Sequence, residues 1–372
     1  DRAVKDGATV PLYYQSRGEK LGIVNDELNR KLQDKIDEFD LSDEEEEKLR
    51  KALSKEYHII TSNERLDTIA KDIVEHYSTM WESGKAMLVC IDKVTCVRMY
   101  NLIDKYWKEK IEATKKEVNK WLKTVKTDEA TVKSDDGLKL WGKIYLQDNK
   151  SDKWAIIAHG YTSNHEDMQP IALNFYNQGY NVLTPDMRAH GNSEGQYIGM
   201  GWLDRKDMLK WIDYVISLDK NAQIALYGES MGGATVMMTS GEDLPSNVKA
   251  IVEDCGYTSV LEMFKKELNE RFGLKPFPIL NAAEMVTQLR AKYNFTEASA
   301  LEQVKKSKTP MLFTHGGNDT YVPTKMVYEL YEAANVEKDM LIIDGAAHGA
   351  APDVDPETYY EKVFSFLDKY IK

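Results

Sequence analysis

The sequence contains very little cysteine, with only Cys90, Cys96 and Cys255 among 372 residues. Three thiols cannot form a disulfide framework, and their spacing does not match that of a zinc site. Chains with so few cysteines are typical of reducing compartments, and we therefore expect a cytoplasmic location. The cysteine pattern gives no reason to expect a structural metal.

Long apolar runs and an excess of basic charge are also missing. The longest apolar stretch, at 86–91, is far shorter than the roughly 20 residues that span a bilayer, and the first residues lack a signal-peptide pattern. The chain has 49 Lys and Arg against 61 Asp and Glu, a net charge of −12. Because nucleic-acid binding depends on clustered Lys and Arg, we expect no nucleic-acid partner. The short apolar runs lead us to expect no membrane partner.

The second part of the chain, residues 130–372, alternates apolar β-rich runs with helical patterns. A hairpin is predicted around Asp136-Gly137, followed by buried strands at 154–159, 180–186, 223–228, 249–254, 310–315 and 339–344. This alternation predicts an α/β domain with a mostly parallel sheet covered by helices on both faces. The interval 256–308 interrupts the alternation, and we predict that it forms a small, apolar helical cap.

The first part of the chain, residues 1–118, has a mainly helical and highly charged pattern. In "LSDEEEEKLRKAL", Ser42 precedes Glu45 by three residues, the spacing of a capping box at a helix start. One run, "KAMLVCI" at 85–91, is typical of a strand. Residues 119–129 are predicted to link this segment to the α/β domain.

The stretch "YGESMGGAT" places Ser230 between Gly228 and Gly232, after an apolar strand and before a helical pattern. In a Gly-x-Ser-x-Gly turn of this kind, the strand bends sharply into the helix and lifts the serine hydroxyl clear of the sheet. The alternative is that Ser230 only caps a helix. The strand-then-helix context favours Ser230 as a nucleophile.

A serine nucleophile needs a base to take its proton and an acid to orient that base. Asp319 in "FTHGGNDTYVP" and His348 in "DGAAHGA" each follow a later apolar strand, which gives the order Ser, acid, His. We predict His348 as the base and Asp319 as the acid. Asp344 and Asp254 are alternative acids, but Asp344 lies only four residues before His348 and is expected to cap a turn.

The stretch "AHGYTSN" follows the strand at 154–159. A Gly after the strand allows the backbone to turn, so we predict that the backbone N–H groups of Tyr161 and Met231 stabilise an oxyanion. His159 is interpreted as structural, and "DMRAHGNSEG" at 186–195 is interpreted as a loop that shapes the floor of the site. This chemistry requires no cofactor and no metal.

Together, "HGYTSN", "DMRAHGNSEG", "GESMGG", "FTHGGNDTYVP" and "AAHG" resemble the α/β-hydrolase superfamily over residues 128–372. Within it, the pattern is similar to small bacterial carboxylesterases with a helical cap. The resemblance implies a serine hydrolase that cleaves small-molecule carboxylic esters, including feruloyl esters, through an acyl-enzyme intermediate. Thioester hydrolysis, acyl transfer and a catalytically inactive scaffold stay open as alternatives. The apolar cap favours an acyl or aryl group over a highly charged substrate.

Two stretches at 6–14 and 84–111 resemble the motor subunit of type I restriction enzymes, and the likeness covers residues 1–118. The resemblance implies that 85–91 is the first strand of a helicase lobe. A phosphate-binding loop ending at Lys85 would need Gly where Thr79 stands, so we expect no ATP hydrolysis. We interpret the chain as a fusion with its seam at 111–125, and we expect a chain that starts near Lys126 to keep full activity. The alternative is a restriction-system fragment that carries an accessory hydrolase.

Overall fold

The computed structural model of the chain describes residues 61–77 and 88–372. Two compact units divide the chain, Asp1–Leu66 and Asp67–Lys372. The capping-box helix predicted from Ser42 lies outside the described residues, as does the phosphate-loop-like stretch from Thr79 to Lys85. The assignment of residues 1–118 to a separate, inactive segment therefore stays a prediction.

The described part of the first hundred residues is helical, as the sequence predicts. Helix α1 covers Asn63–Tyr77 and helix α2 covers Lys93–Leu122. The Asp92 side chain caps α2 by accepting a hydrogen bond from the Thr95 N–H at 2.6 Å. Residues 88–91 form no strand, so the strand prediction is wrong over its described residues, while 85–87 lie outside them. The cap at Asp92 begins a helix directly after this run, and the apolar Leu88, Val89 and Ile91 are exposed.

Helix α2 continues through most of the predicted seam and ends against the α/β unit. Its residue Trp121 is buried, with its ring centroid 4.7 Å from that of Tyr145 and 5.3 Å from that of Tyr176. The first strand begins at Lys126, four residues before the predicted start of the domain. The predicted linker at 119–129 thus contains the last turn of α2 and the beginning of the sheet.

A single sheet of eight strands forms the centre of this unit, in the order β1-β2-β4-β3-β5-β6-β7-β8. The first hairpin and the β2–β4 pair are antiparallel, and every other neighbouring pair is parallel. The predicted hairpin and the six predicted strands are therefore confirmed. The strands are β1 Lys126–Lys133, β2 Lys139–Leu146, β3 Lys153–Ala158, β4 Asn181–Pro185, β5 Gln223–Glu229, β6 Val248–Asp254, β7 Met311–Gly316 and β8 Lys338–Ile343.

Helices cover both faces of the sheet, because its central strands are apolar on both sides. One buried cluster contains Trp211 and Phe313, and the other contains Trp121, Phe175 and Tyr359. The remaining helices are α3 Gln169–Asn177, α4 Asp204–Leu218, α5 Met231–Ser240, α6 Val260–Phe272, α7 Pro276–Arg290, α8 Ala300–Val304, α9 Lys325–Ala333, α10 Ala351–Val354 and α11 Pro356–Leu367.

Helices α6 and α7 lie between β6 and β7, in the interval predicted to form the cap. Ser259 caps α6 by accepting a hydrogen bond from the Glu262 N–H at 3.2 Å. Gly273 ends α6 with a φ of 63°, a left-handed conformation that glycine adopts without strain. Among the described helices, none has both the length and the apolar content needed to cross a membrane.

Candidate active site

Ser230 lies at the sharp bend between β5 and α5. Its φ of 55° and ψ of −114° are unusual for a residue with a side chain, and such strain is typical of functional positions. The two flanking glycines make the bend possible. A Cβ at Gly228 would lie 2.1 Å from the Gly232 carbonyl oxygen, and one at Gly232 would lie 2.1 Å from the Ala158 carbonyl oxygen. The spacing of the sequence motif is therefore a packing requirement.

The backbone of Ser230 is fixed on both sides. Its N–H donates to the Asp254 carbonyl oxygen at 2.8 Å, and its own carbonyl oxygen accepts from the Ala234 N–H at 2.9 Å. The first bond ties the bend to the end of β6, and the second begins the hydrogen bonding of α5. The hydroxyl is consequently held at one position above the carboxyl edge of the sheet.

The structure brings together the three side chains that the sequence predicts. His348 follows β8 and places its Nε2 2.8 Å from the Ser230 Oγ. Asp319 follows β7 and places its Oδ2 2.7 Å from the His348 Nδ1. The other carboxylate oxygen, Oδ1, accepts the backbone N–H groups of Tyr321 and Val322, both at 2.9 Å. These four contacts form a continuous hydrogen-bonded path from an anchored carboxylate to a serine hydroxyl.

The charge of Asp319 depends on two competing effects. Burial alone would raise the pKa of this carboxyl, but hydrogen bonds from His315 and His348 hold the pKa below its ordinary value. Asp319 is therefore ionised at neutral pH. An ionised acceptor favours the His348 tautomer with its proton on Nδ1, which leaves Nε2 free to accept the serine proton.

The two alternative acids do not contact His348 in the structure. Asp344 is exposed at the end of β8. Asp254 is buried, where its Oδ2 accepts the hydroxyl groups of Tyr227 at 3.1 Å and Tyr359 at 2.7 Å. Burial raises the pKa of Asp254, which disfavours the charged form. Asp319 is thus the carboxylate that is placed to orient the imidazole.

Sequence reasoning missed His315, which lies beside Asp319 at the end of β7. Its Nε2 is 3.2 Å from the Asp319 Oδ2 and 2.9 Å from the Val322 carbonyl oxygen. Both neighbours are acceptors, so this nitrogen carries a proton and donates it. The spacing of four residues between His315 and Asp319 was visible in "THGGND", but whether a strand-end side chain turns toward its neighbour depends on the folded loop.

The predicted oxyanion segment lies directly beside the serine. A Cβ built on Gly160 would be 3.4 Å from the Ser230 Cβ. Within the described residues, the backbone N–H groups of Tyr161 and Met231 donate no hydrogen bond. The next N–H, that of Thr162, donates to the His190 Nε2 at 3.2 Å. The two predicted donors are therefore free to bind an oxyanion.

His159 lies behind this segment. Its Nδ1 is 2.7 Å from the Gly160 carbonyl oxygen, and its Nε2 accepts the Met187 N–H at 2.9 Å. Burial lowers the pKa of His159 to about 4, so the ring is neutral at physiological pH. These bonds connect β3 to the loop at 186–195, in keeping with the structural role expected for His159 and with the position expected for that loop.

The cavity above Ser230 has a volume of about 610 Å³ and is more polar than the sequence predicts. An apolar wall was expected from the cap, but the cap contributes Arg271, which forms an ion pair with Glu267. Seven large apolar residues between 272 and 289 are exposed, and none of them is among the residues that line the cavity. Other lining residues include Tyr161, Asp167, Glu229, Tyr321, His348 and Asp353.

One group of described residues has ligand atoms spaced as in a metal site. Atoms of Cys255, Asp319 and His348 all lie within 4.8 Å of one another. Burial raises the pKa of the Cys255 thiol well above its ordinary value, and a protonated thiol is a poor metal ligand. Since Asp319 and His348 already bond each other, their arrangement suits proton transfer better than metal binding.

Comparison with known proteins places this site in a family context. A model of the prolyl oligopeptidase family matches residues 168–372. YqkD of Bacillus subtilis is 31% identical over 218 residues, which cover 57% of this chain and 70% of YqkD. The esterase Pf2001 of Pyrococcus furiosus is similar in structure, with a TM-score of 0.55 and 25% sequence identity. The matched region covers 69% of this chain and 96% of the Pf2001 chain.

A different relative fits the resemblance drawn from the first part of the chain. A protein described as the MjaIXP type I restriction enzyme endonuclease subunit, from Methanocaldococcus jannaschii, is 32% identical over 108 residues. These residues are 28% of this chain but only 10% of that subunit.

The α/β unit is a serine hydrolase of the α/β-hydrolase fold, and the chain belongs to the prolyl oligopeptidase family.

Proposed function

We propose that the protein is a carboxylesterase that uses Ser230, His348 and Asp319 as its catalytic triad. The observation that carries this proposal is the path of 2.8 Å and 2.7 Å contacts from the serine hydroxyl through the imidazole to the carboxylate. In the first step, the Ser230 Oγ forms a bond to the ester carbonyl carbon while its proton moves to the His348 Nε2. Asp319 stabilises the resulting imidazolium.

The tetrahedral intermediate then collapses. The bond from carbon to the leaving alkoxide breaks, and the proton on His348 moves to that oxygen, which releases an alcohol and leaves an acyl-enzyme. Water attacks the acyl group and gives a proton to His348, and collapse returns the proton to Ser230 as the acid departs. In this proposal, the backbone N–H groups of Tyr161 and Met231 stabilise the oxyanion in both halves, and each such donor is typically worth about 3 kcal/mol.

An ester substrate is supported by the similarity to Pf2001, which is itself named an esterase. Peptide hydrolysis is the second candidate, because the matching family is named for an oligopeptidase. Feruloyl esters, thioesters and acyl transfer to an added alcohol use the same acyl-enzyme. The catalytic groups alone do not select among them, so a substrate comparison is the appropriate test.

The test compares kcat/KM for p-nitrophenyl butyrate, methyl ferulate, an acyl thioester and a peptide p-nitroanilide. We expect one of the oxygen esters to give the highest value and Ser230→Ala to lower it by at least about a thousandfold. Ser365→Ala is the matched control, since Ser365 is exposed on α11. Faster cleavage of the anilide would establish a peptidase, and full ester hydrolysis by Ser230→Ala would exclude Ser230 as the nucleophile.

A further inference from the structure

The cap exposes an apolar surface that the catalytic site does not use. On α7, Leu280 is buried and Ala283 and Thr287 are half-buried, so this side of the helix faces the protein. The opposite side carries Met285 and Leu289, which are 68% and 71% exposed. In an ordinary surface helix, the outward face is polar. Helix α7 instead has apolar residues on both faces.

The outward apolar residues are concentrated in one short part of the chain. Seven of the nineteen large hydrophobic side chains exposed in the described residues fall between 272 and 289, so they are concentrated on the cap. Ala282, Met285, Val286 and Leu289 have the spacing of a single helical stripe. We call the whole set the outer cap face: Phe272, Leu274, Phe277, Ile279, Ala282, Met285, Val286 and Leu289.

Basic residues lie at both ends of the outer cap face. Arg271 and Lys275 precede most of it, Arg290 and Lys292 follow it, and all four are exposed. The only carboxylate at 271–292 is that of Glu284, which accepts two hydrogen bonds from Thr296 at 2.9 Å. Arg271 pairs with Glu267 on its own helix. In the part of the chain that the structure describes, no ion pair involves the other three cations. Residues 271–292 therefore carry four cations against one carboxylate, in a chain of net charge −12. The neighbouring carboxylates are Glu297, which lies beside Met285 and Leu289, and Asp135 and Asp136, which share a cavity with Arg290 and Lys292.

We propose that the outer cap face docks on an anionic lipid surface. An apolar face edged by Lys and Arg binds at the boundary between headgroups and acyl chains, where the apolar side chains are buried and the cations meet phosphate. The attraction is local, because charges farther than about 10 Å from the surface are screened at physiological salt. The overall acidity of the chain therefore does not oppose this contact. We expected no membrane partner because long apolar runs are missing, but such runs are needed to span a bilayer and not to dock on its surface.

A second copy of the chain fits this surface less well than lipid. Twofold pairing of α7 with itself in antiparallel orientation would bring Lys275 of one copy toward Arg290 of the other. Like charges facing each other across an interface are unfavourable. Anionic headgroups, by contrast, can neutralise the cations at both ends of the helix at once.

The proposal also explains the position of the surface relative to the site. Arg271 lines the cavity above Ser230, and the next residue, Phe272, belongs to the outer cap face. A lipid surface that contacts the cap would therefore lie next to the wall of the catalytic cavity. Docking does not depend on catalysis, so Ser230→Ala should bind lipid as the wild type does even if the proposed esterase activity fails.

Flotation of the full chain with vesicles tests the proposal. We expect binding to vesicles of equal parts phosphatidylcholine and phosphatidylglycerol, and at least tenfold weaker binding to phosphatidylcholine alone. Salt at about 0.5 M should release the protein, because it screens the attraction between the cations and the headgroups. Val286→Ser/Leu289→Ser and Lys275→Glu/Arg290→Glu should each weaken binding at least tenfold. All four side chains are exposed, so the melting temperature should not change.

Matched substitutions elsewhere serve as controls. Leu218→Ser removes an exposed apolar side chain outside the cap, and Lys220→Glu/Lys308→Glu reverses two exposed charges there. Both variants should bind vesicles like the wild type. The proposal is overturned if the cap variants also bind like the wild type, or if the wild type does not bind anionic vesicles. Light scattering that shows a dimer abolished by Val286→Ser/Leu289→Ser, without vesicle binding, would assign the face to a second copy.

Discussion

At the scale of single residues, buried neutral imidazoles hold the backbone that is proposed to bind the oxyanion. The Nδ1 of His159 donates to the Gly160 carbonyl oxygen, and its Nε2 accepts from the Met187 N–H. Only a neutral ring can donate through one nitrogen and accept through the other. His190 accepts the Thr162 N–H in the same way, and burial lowers the pKa of both imidazoles.

We predict that His159 makes the free energy of unfolding depend on pH. The pKa of His159 is about 4 in the folded state, against 6.5 for an ordinary histidine. Between these values the unfolded chain binds the proton more readily, so the contribution of His159 to stability falls as the pH falls from 6.5 to 4 and is constant outside that window. The full change is about 3 kcal/mol.

Urea unfolding at several pH values between 4 and 7 measures this dependence. His159→Gln has no titrating group at this position, so its stability should fall less steeply with decreasing pH than that of the wild type. The difference between the two curves isolates His159 from other titrating groups. Parallel curves would show that the buried imidazole does not resist protonation.

At the scale of elements, the bend between β5 and α5 sets the position of Ser230, the proposed nucleophile. We predict that Gly228→Ala lowers kcat/KM at least about a hundredfold, because a Cβ there would lie 2.1 Å from the Gly232 carbonyl oxygen and would displace Ser230. Steady-state kinetics with p-nitrophenyl butyrate measure the loss. Gly179→Ala is the control for backbone strain without a collision, since its φ of 84° disfavours a side chain but a Cβ there meets nothing within 4 Å. Equal activity of the two variants would contradict a crowded bend.

The end of α2 is part of the packing of the α/β unit. We predict that Trp121→Ala lowers the free energy of unfolding by about 3–5 kcal/mol, the usual cost of removing a buried Trp side chain. Tyr100→Ala on the same helix should change it little, because Tyr100 is exposed. Urea unfolding compares the two variants, and equal stability would show that Trp121 is dispensable. For the same reason, a chain that starts at Lys126 should be less stable than one that retains Trp121.

The elements also show which features the sequence could predict. Ser230, Asp319 and His348 each come shortly after the end of an apolar strand. Parallel strands bring their carboxyl ends to one edge, so local patterns are sufficient. His315 could not be predicted, because its contact with Asp319 depends on how the loop after β7 folds back. The outward direction of Met285 and Leu289 was equally hidden, since an apolar helix is normally buried.

At the scale of the whole molecule, the sheet brings the proposed nucleophile, base and acid from positions 230, 348 and 319 into one hydrogen-bonded path. The fold was predictable because its strands alternate regularly with helices from residue 130 onward. The start of the α/β unit could not be predicted, because the contacts of Trp121 with Tyr145 and Tyr176 are tertiary packing, which a local sequence pattern does not show. Most of the proposed fusion seam lies within the continuous helix α2, which ends at Leu122, and the fusion stays a hypothesis.

Labelling with a fluorophosphonate, followed by mass spectrometry of the digested protein, tests the central claim most directly. This reagent forms a covalent bond with a serine only where a base has activated the hydroxyl. We predict one adduct per chain, on the peptide that contains Ser230, and none on a folded Ser230→Ala variant with an unchanged melting temperature. An adduct at another residue, or wild-type labelling of Ser230→Ala, would contradict the assignment of Ser230 as the nucleophile.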